Sequence, residues 1–280
     1  MTNETRTLSS ESDLPLHLRI WRPESSKHPE GAVILAHGLG EHTGRYGYLA
    51  RHFTDHGFAV FGPDMVGFGR SGGRRGHLPG GIEGYKRELL NVAGLARKEV
   101  GDDARMIWLG HSMGGLAVLL AMFEQPETVE EAVVAAPALD SGRALGSLRR
   151  LSLRFLNSLT PSFTIDHGIP SELVCSDPEV VQAYKDDPLV HRRISVGLAS
   201  SIFAGGAKIS AAASAFERNK LLLLQGEEDR IAYPEVTRSF AERVSCEPKE
   251  YLQFAGMWHE VFNERERAQA FAAVDRFFAL

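Results

Sequence analysis

Short apolar runs alternate with longer amphipathic stretches along most of the chain. Leu16–Trp21 (LHLRIW) switches between apolar and polar residues with period two and predicts an exposed first strand. Ala32–Ala36 (AVILA), Phe58–Phe61 (FAVF), Met106–Leu109 (MIWL), Ala132–Ala136 (AVVAA), Leu221–Leu224 (LLLL) and Tyr251–Phe254 (YLQF) are compact and almost wholly apolar. Runs of that kind suit strands buried on both faces of a parallel sheet. Between them, Tyr85–Val100, Leu116–Glu124, Val236–Val244 and Glu264–Phe278 repeat their apolar residues at helical spacing. Alternation of strand and helix predicts an α/β protein with a mostly parallel central sheet flanked by helices.

One region breaks this rhythm. From Ala138 to Arg218 no buried-strand run occurs, and apolar residues follow a helical pattern: Leu145, Leu148, Leu151, Leu153, Phe155, Leu156 and Leu159, then Val180, Val181 and Tyr184, then Ile194, Val196, Leu198, Ile202 and Phe203. The expected organisation is a core of residues 1–137 and 219–280 with a helical insertion, 138–218, between late strands. The apolar residues of the insertion either pack it onto the core or line a pocket above the sheet.

Composition narrows the function classes. Of 280 residues, 43% are hydrophobic and 24% charged, enough for a sizeable core and against disorder. A formal net charge of −5 lacks the basic face that nucleic acid requires. Cys175 and Cys246 lie far apart, without metal-ligand or CxxC spacing. They suit a reduced cytoplasmic chain, with one long-range disulfide left open. The N-terminal MTNETRTLSSESDLPL has no apolar core of a secretory signal, and no apolar run approaches the roughly 20 residues of a membrane span. A soluble chain is expected. Nothing in the pattern specifies an oligomeric state.

The chemistry concentrates at Gly110-His-Ser-Met-Gly114, a G-x-S-x-G set between the run MIWL and a helical stretch. A strand-to-helix reversal there would lift Ser112 Oγ to the sheet's C-terminal edge, in front of the next helix's N-terminus. A serine hydroxyl needs a base, and the base needs an orienting acid. Asp229 follows the strand LLLL and a turn, and His259 follows the strand YLQF and a turn, in the order acid then histidine. Glu227 and Glu228 are rival acids at less suitable distances. His37-Gly-Leu-Gly40 follows AVILA, where the backbone N–H of Leu39 would join that of Met113 as an oxyanion hole. His37, His42 and His111 come too early to be the base and are expected to shape the pocket or make hydrogen bonds within it. This chemistry calls for no cofactor and no metal.

Two other motifs lack their context. Gly67-Phe-Gly-Arg-Ser-Gly72 satisfies G-x-G-x-x-G but does not open an apolar helix, and His259-Glu260 begins an H-E-x-x-H that Asn263 leaves incomplete. Arg70, Arg74 and Arg75 read as a solvated loop, with a contact for lipid phosphates as the lesser alternative.

HGLGEHTGRY, PDMVGFGRSGG, GHSMGG, DPEVVQAYKDDPL, LLLLQGEEDR and HEVFNE, in that order, resemble the monoacylglycerol lipase family, especially its bacterial members. The resemblance runs from about Leu16 onward, insertion included. It implies an α/β-hydrolase fold with a helical cap and hydrolysis of a lipid ester, a monoacylglycerol, to glycerol and fatty acid. It makes Ser112 the nucleophile, His259 the base, Asp229 the acid, and Leu39 and Met113 the oxyanion donors. It also places Glu41, Arg45, His111 and Tyr184 near the glycerol end of the site. Phe68 departs from the family, standing where a histidine is usual, which would loosen a loop contact. Trp258, before His259, is a second departure and would narrow the pocket. A lysophospholipase, a short- or medium-chain esterase and an aminopeptidase share every catalytic feature. An acyltransferase or a non-catalytic lipid-binding protein stands further off. A lipid substrate also implies transient contact of the cap with a membrane surface.

Overall fold

A computed structural model describes residues 1–24, 29–139 and 156–280. Leu145, Leu148, Leu151, Leu153 and Phe155, to which the sequence assigned helical packing, lie outside them. Among the described residues ten strands are formed: β1 (Thr2–Ser9), β2 (Pro15–Arg22), β3 (Gly31–Ala36), β4 (Phe58–Asp64), β5 (Arg105–His111), β6 (Glu131–Ala135), β7 (Thr164–Asp166), β8 (Arg193–Ser195), β9 (Lys220–Gly226) and β10 (Lys249–Phe254). The helices are α1 (Gly47–Asp55), α2 (Gly81–Val100), α3 (Met113–Glu124), α4 (Pro178–Asp186), α5 (Val196–Ala211), α6 (Pro234–Arg243) and α7 (Ala268–Phe278).

Eight strands make one sheet in the order β1-β2-β4-β3-β5-β6-β9-β10. From β4 to β10 neighbouring strands are parallel, and β1 and β2 add an antiparallel edge. β3 is buried at every residue, as a strand covered on both faces must be. One face carries α2, α3 and α6, whose Leu89, Leu116 and Phe240 join the larger apolar cluster. The other carries α1 and α7, with Phe53, Val274 and Phe278. The fold is that of an α/β hydrolase.

The expected first strand is the second, and it is not exposed. Leu16, Leu18, Ile20 and Trp21 are buried, because β1 pairs along its outer edge and a helix layer covers each face. β1 itself was not expected. Its TNETRTLS carries almost no apolar signal, and an edge strand needs little. Among the described residues of the insertion, β7 and β8 pair as a small antiparallel ribbon, and α5 packs on α2 and α3. Both cysteines are buried and free, so the long-range disulfide left open by the sequence does not form.

The chain moves from β3 outward to β4, then crosses back to β5 on the other side of β3. The connections after β3 and β5 therefore diverge, opening a crevice at the C-terminal ends of these two neighbours. The loops bearing Leu39 and Ser112 begin there.

Candidate active site

Ser112 occupies the corner between β5 and α3 with φ 53° and ψ −116°, a left-handed conformation rare for a residue with a side chain. Its backbone is pinned there: its N–H donates to Ala135 O (2.9 Å), and its carbonyl accepts from Leu116 and Ala138 (both 3.1 Å). The flanking glycines have a steric reason. A Cβ on Gly110 would lie 2.6 Å from Gly114 O, and one on Gly114 would overlap the carbonyl of Ala36. Met113 is the first residue of α3, so its N–H has no carbonyl four residues back within the helix.

The acid and the histidine meet. His259 Nδ1–H donates to Asp229 Oδ2 at 2.8 Å, and both residues are buried. Asp229 Oδ2 also accepts from Gln225 Nε2 (2.7 Å), while Oδ1 takes the N–H groups of Ile231 (2.8 Å) and Ala232 (3.0 Å). Burial alone would raise this carboxyl's pKa, but His259 and these donors together hold it below the usual range. Burial likewise works against a charged His259, yet the Asp229 carboxylate prevails and raises its pKa. Glu227 and Glu228 are exposed, whereas Asp229 and His259 are buried. With Nδ1–H committed to Asp229, His259 keeps its lone pair on Nε2. Its ring lies against that of His111, centroids 4.6 Å apart, and His111 directly precedes Ser112. Burial, with His259 next, lowers the His111 pKa to about 4.

Ser112, Leu39 and Met113 line a cavity of about 450 Å³. Its remaining wall is mainly apolar, with Leu139, Ile194, Ile202, Phe203 and Val236 among its residues.

Glu41, Arg45, His111 and Tyr184 are close together but absent from that wall. The first two are engaged with protein groups. Glu41 Oε1 accepts from Gly38 N–H and Tyr46 OH, both at 2.6 Å, and Oε2 accepts from Arg45 at 2.6 Å. Arg45 also makes two hydrogen bonds to Glu260, and its guanidinium lies 4.6 Å over the Tyr184 ring. Burial opposes a charged Glu41, but Arg45 and the nearby histidines lower its pKa to about 2. Glu260 entered the sequence reading only within the HEVFNE likeness and a false motif, with no role of its own. The available signal was slight: it directly precedes the apolar pair Val261-Phe262, and a buried charge needs a partner.

The other expectations divide. His37 and His42 do make structural hydrogen bonds: Met65 N–H donates to His37 Nε2 (3.0 Å), and His42 Nε2–H donates to Asp187 (2.8 Å). Phe68 does not loosen its loop. It is fully buried, stacked on His191 at 5.1 Å and packed on His37 at 5.8 Å. Nor does Trp258 narrow the cavity, whose wall excludes it. Its N–H donates to the buried Glu264 (2.8 Å), and its ring lies 5.8 Å from the Arg230 guanidinium.

Comparison with known proteins agrees with this architecture. Residues 27–266 match the model of the family described as serine aminopeptidase, S33. A monoacylglycerol lipase of Mycolicibacterium smegmatis is 32% identical over 249 residues, covering 89% of this chain and 87% of that protein. The phospholipase YtpA of Bacillus subtilis is 26% identical, with 89% and 95% covered. The crystal structure of Paleococcus ferrophilus monoacylglycerol lipase superposes with a TM-score of 0.83 at 31% identity, covering 94% of this chain and 98% of that one. A buried acid–histidine pair, a serine at a strained strand–helix corner and these likenesses converge: the chain belongs to the serine aminopeptidase S33 family of α/β hydrolases and is a relative of the monoacylglycerol lipases.

Proposed function

We propose that the protein hydrolyses monoacylglycerols to glycerol and a free fatty acid through an acyl-enzyme on Ser112. The observation that carries this reading is the serine's position at a strained strand–helix corner in the wall of an apolar cavity, next in the chain to His111, whose ring lies against a His259 imidazole held at Nδ1 by a buried carboxylate. His259 Nε2 takes the Ser112 proton as Oγ attacks the ester carbonyl. The N–H groups of Leu39 and Met113 hold the oxyanion, and His259 returns the proton to the departing glycerol oxygen. Water, activated by the same imidazole, then releases the fatty acid. Residues 138–218 act as the cap, whose Ile194, Ile202 and Phe203 receive the acyl chain. Glu41 and Arg45 shape the loop that carries Leu39, and His111 and Tyr184 border the glycerol end.

The cap also meets membranes transiently. Leu156, Leu159, Phe163 and Ile165 are 41–63% exposed, and Ile165 lies at the cavity. No helix among the described residues is long and apolar enough to cross a bilayer, so contact would be at the surface.

The test is a hydrolysis profile over monoacylglycerols of increasing chain length. Di- and triacylglycerols, lysophospholipids and aminoacyl arylamides serve as the other arms. Preference for monoacylglycerols supports the proposal, and faster turnover of a lysophospholipid or an arylamide overturns the substrate assignment. Ser112→Ala should abolish labelling by a fluorophosphonate and lower kcat by about 10⁴–10⁶. For the membrane contact, flotation with phosphatidylglycerol vesicles should recover wild type, and Leu159→Ser with Phe163→Ser should reduce recovery.

A further inference from the structure

Behind the sheet, at the end of the molecule opposite the cavity, lies a group of side chains that the proposed reaction does not use. His52 stands in the last turn of α1 and His56 four residues on, at the helix's C-cap, and Asp275 approaches them from α7. One ligand atom of each lies within 4.8 Å of the others. The location follows from topology. α1 ends just before β4 begins, and α7 ends where Phe278 O accepts from Arg105, the first residue of β5. Both ends are at the N-terminal edge of the strands, whereas Ser112 stands at the C-terminal edge.

The imidazoles are held in orientation. His52 is stacked on Phe271, centroids 4.5 Å apart and planes 22° from parallel, and its Nε2–H donates to Asp275 Oδ1 at 2.7 Å. His56 Nδ1–H donates to the carbonyl of His52 at 2.9 Å, which fixes the tautomer and leaves the lone pair on Nε2. The two rings are 4.8 Å apart. All three residues are half-buried, leaving room for water on an ion. A hydrogen bond between two helices needs only His52 and Asp275. The second imidazole, one turn away with its tautomer fixed, is what that simpler role does not require.

We propose that His52, His56 and Asp275 form a site for a divalent transition-metal ion of the zinc class, tying α1 to the C-terminal helix. Two imidazole nitrogens and one carboxylate suit zinc, whereas magnesium and calcium favour all-oxygen sets. On binding, the bond between His52 and Asp275 opens. The His52 ring proton is exchanged through solvent from Nε2 to Nδ1, so that the neutral imidazole turns its Nε2 lone pair to the ion with no net loss of a proton, and the freed carboxylate becomes a ligand. Small side-chain rotations draw the three donor atoms in to bonds of about 2 Å, and water completes the coordination.

Chelator-stripped full-length protein titrated with ZnCl₂ in a calorimeter provides the test, with MgCl₂ as the comparison. Saturable zinc binding without magnesium binding is expected, with a zinc-dependent rise in Tm. His56→Ala and Asp275→Asn should each weaken that binding by tenfold or more while leaving esterase activity unchanged. Both variants are milder than removal of the packed His52 ring, and circular dichroism confirms their folding. Absence of saturable binding at millimolar zinc, or the same isotherm for wild type and both variants, overturns the site. Equal binding of magnesium overturns the assignment to the zinc class.

Discussion

Arg45 grips Glu260, the residue that follows His259, through two parallel hydrogen bonds of 2.6 and 2.7 Å. The same guanidinium holds Glu41, whose other oxygen accepts the N–H of Gly38 beside Leu39. One buried cation thereby joins the loop after β3 to the loop after β10. Arg45→Met would leave two buried carboxylates unpaired, a loss of about 3–5 kcal/mol. Urea unfolding measures it. In a double-mutant cycle with Glu260→Gln, the two changes should be far from additive.

The proposed base predicts a pH profile. Only neutral His259 can accept the Ser112 proton, so kcat/KM should fall as pH drops through its pKa. The adjacent Asp229 carboxylate sets that pKa above the ordinary histidine value of 6.5. Asp229→Asn removes the charge and should move the acid limb to lower pH. His111, with a pKa near 4, stays neutral over the working range and adds no second limb above about pH 5. An acid limb unmoved in Asp229→Asn would contradict the pairing.

Asp229→Asn should also cut kcat by about 10⁴, because an amide stabilises the wrong imidazole tautomer. Glu228→Gln, a change to an exposed neighbour, should leave kcat within about twofold of wild type, as its stability effect should stay within about 0.5 kcal/mol. Steady-state kinetics on one ester decides between these acids. The reverse ranking would transfer the orienting role to Glu228.

Gly114 permits the serine corner. In Gly114→Ala the new methyl would overlap the Ala36 carbonyl, and two packed backbone segments would have to separate. Overpacking of this kind costs at least about 1–3 kcal/mol. Thermal denaturation should show a lower Tm, and fluorophosphonate labelling should slow as the Ser112 backbone is displaced.

The cavity should set chain length. Ala199 lines it on α5, near Ile202 and Phe203. Ala199→Phe would fill part of the space of about 450 Å³, lowering kcat/KM for long acyl chains while sparing short ones. Each excluded methylene is worth about 1–3 kcal/mol. Parallel loss for every chain length would show that the acyl group lies elsewhere.

The linear chain by itself determined the α/β layering and five of the seven anticipated strand environments; LHLRIW is buried rather than exposed, and YLQF, in β10 at the sheet's edge, is half-buried except at Phe254. An apolar run covered on both faces carries its own signature, and each sheet residue interacts mainly through its local pattern. It also singled out Ser112, Asp229 and His259, because each follows a strand run and strand ends are where this architecture exposes side chains; the folded chain sets Ser112 at a strand–helix corner and joins Asp229 to His259. Tertiary structure alone decided the rest. β2 is buried because the polar β1 covers its edge, and nothing within LHLRIW records that neighbour. Glu41 and Arg45, placed by family likeness near the glycerol end of the site, face each other and Glu260. Arg45 and Glu260 are 215 positions apart. The partner of a buried charge depends on which loops the sheet order brings together, and hydrophobic periodicity carries no record of that order.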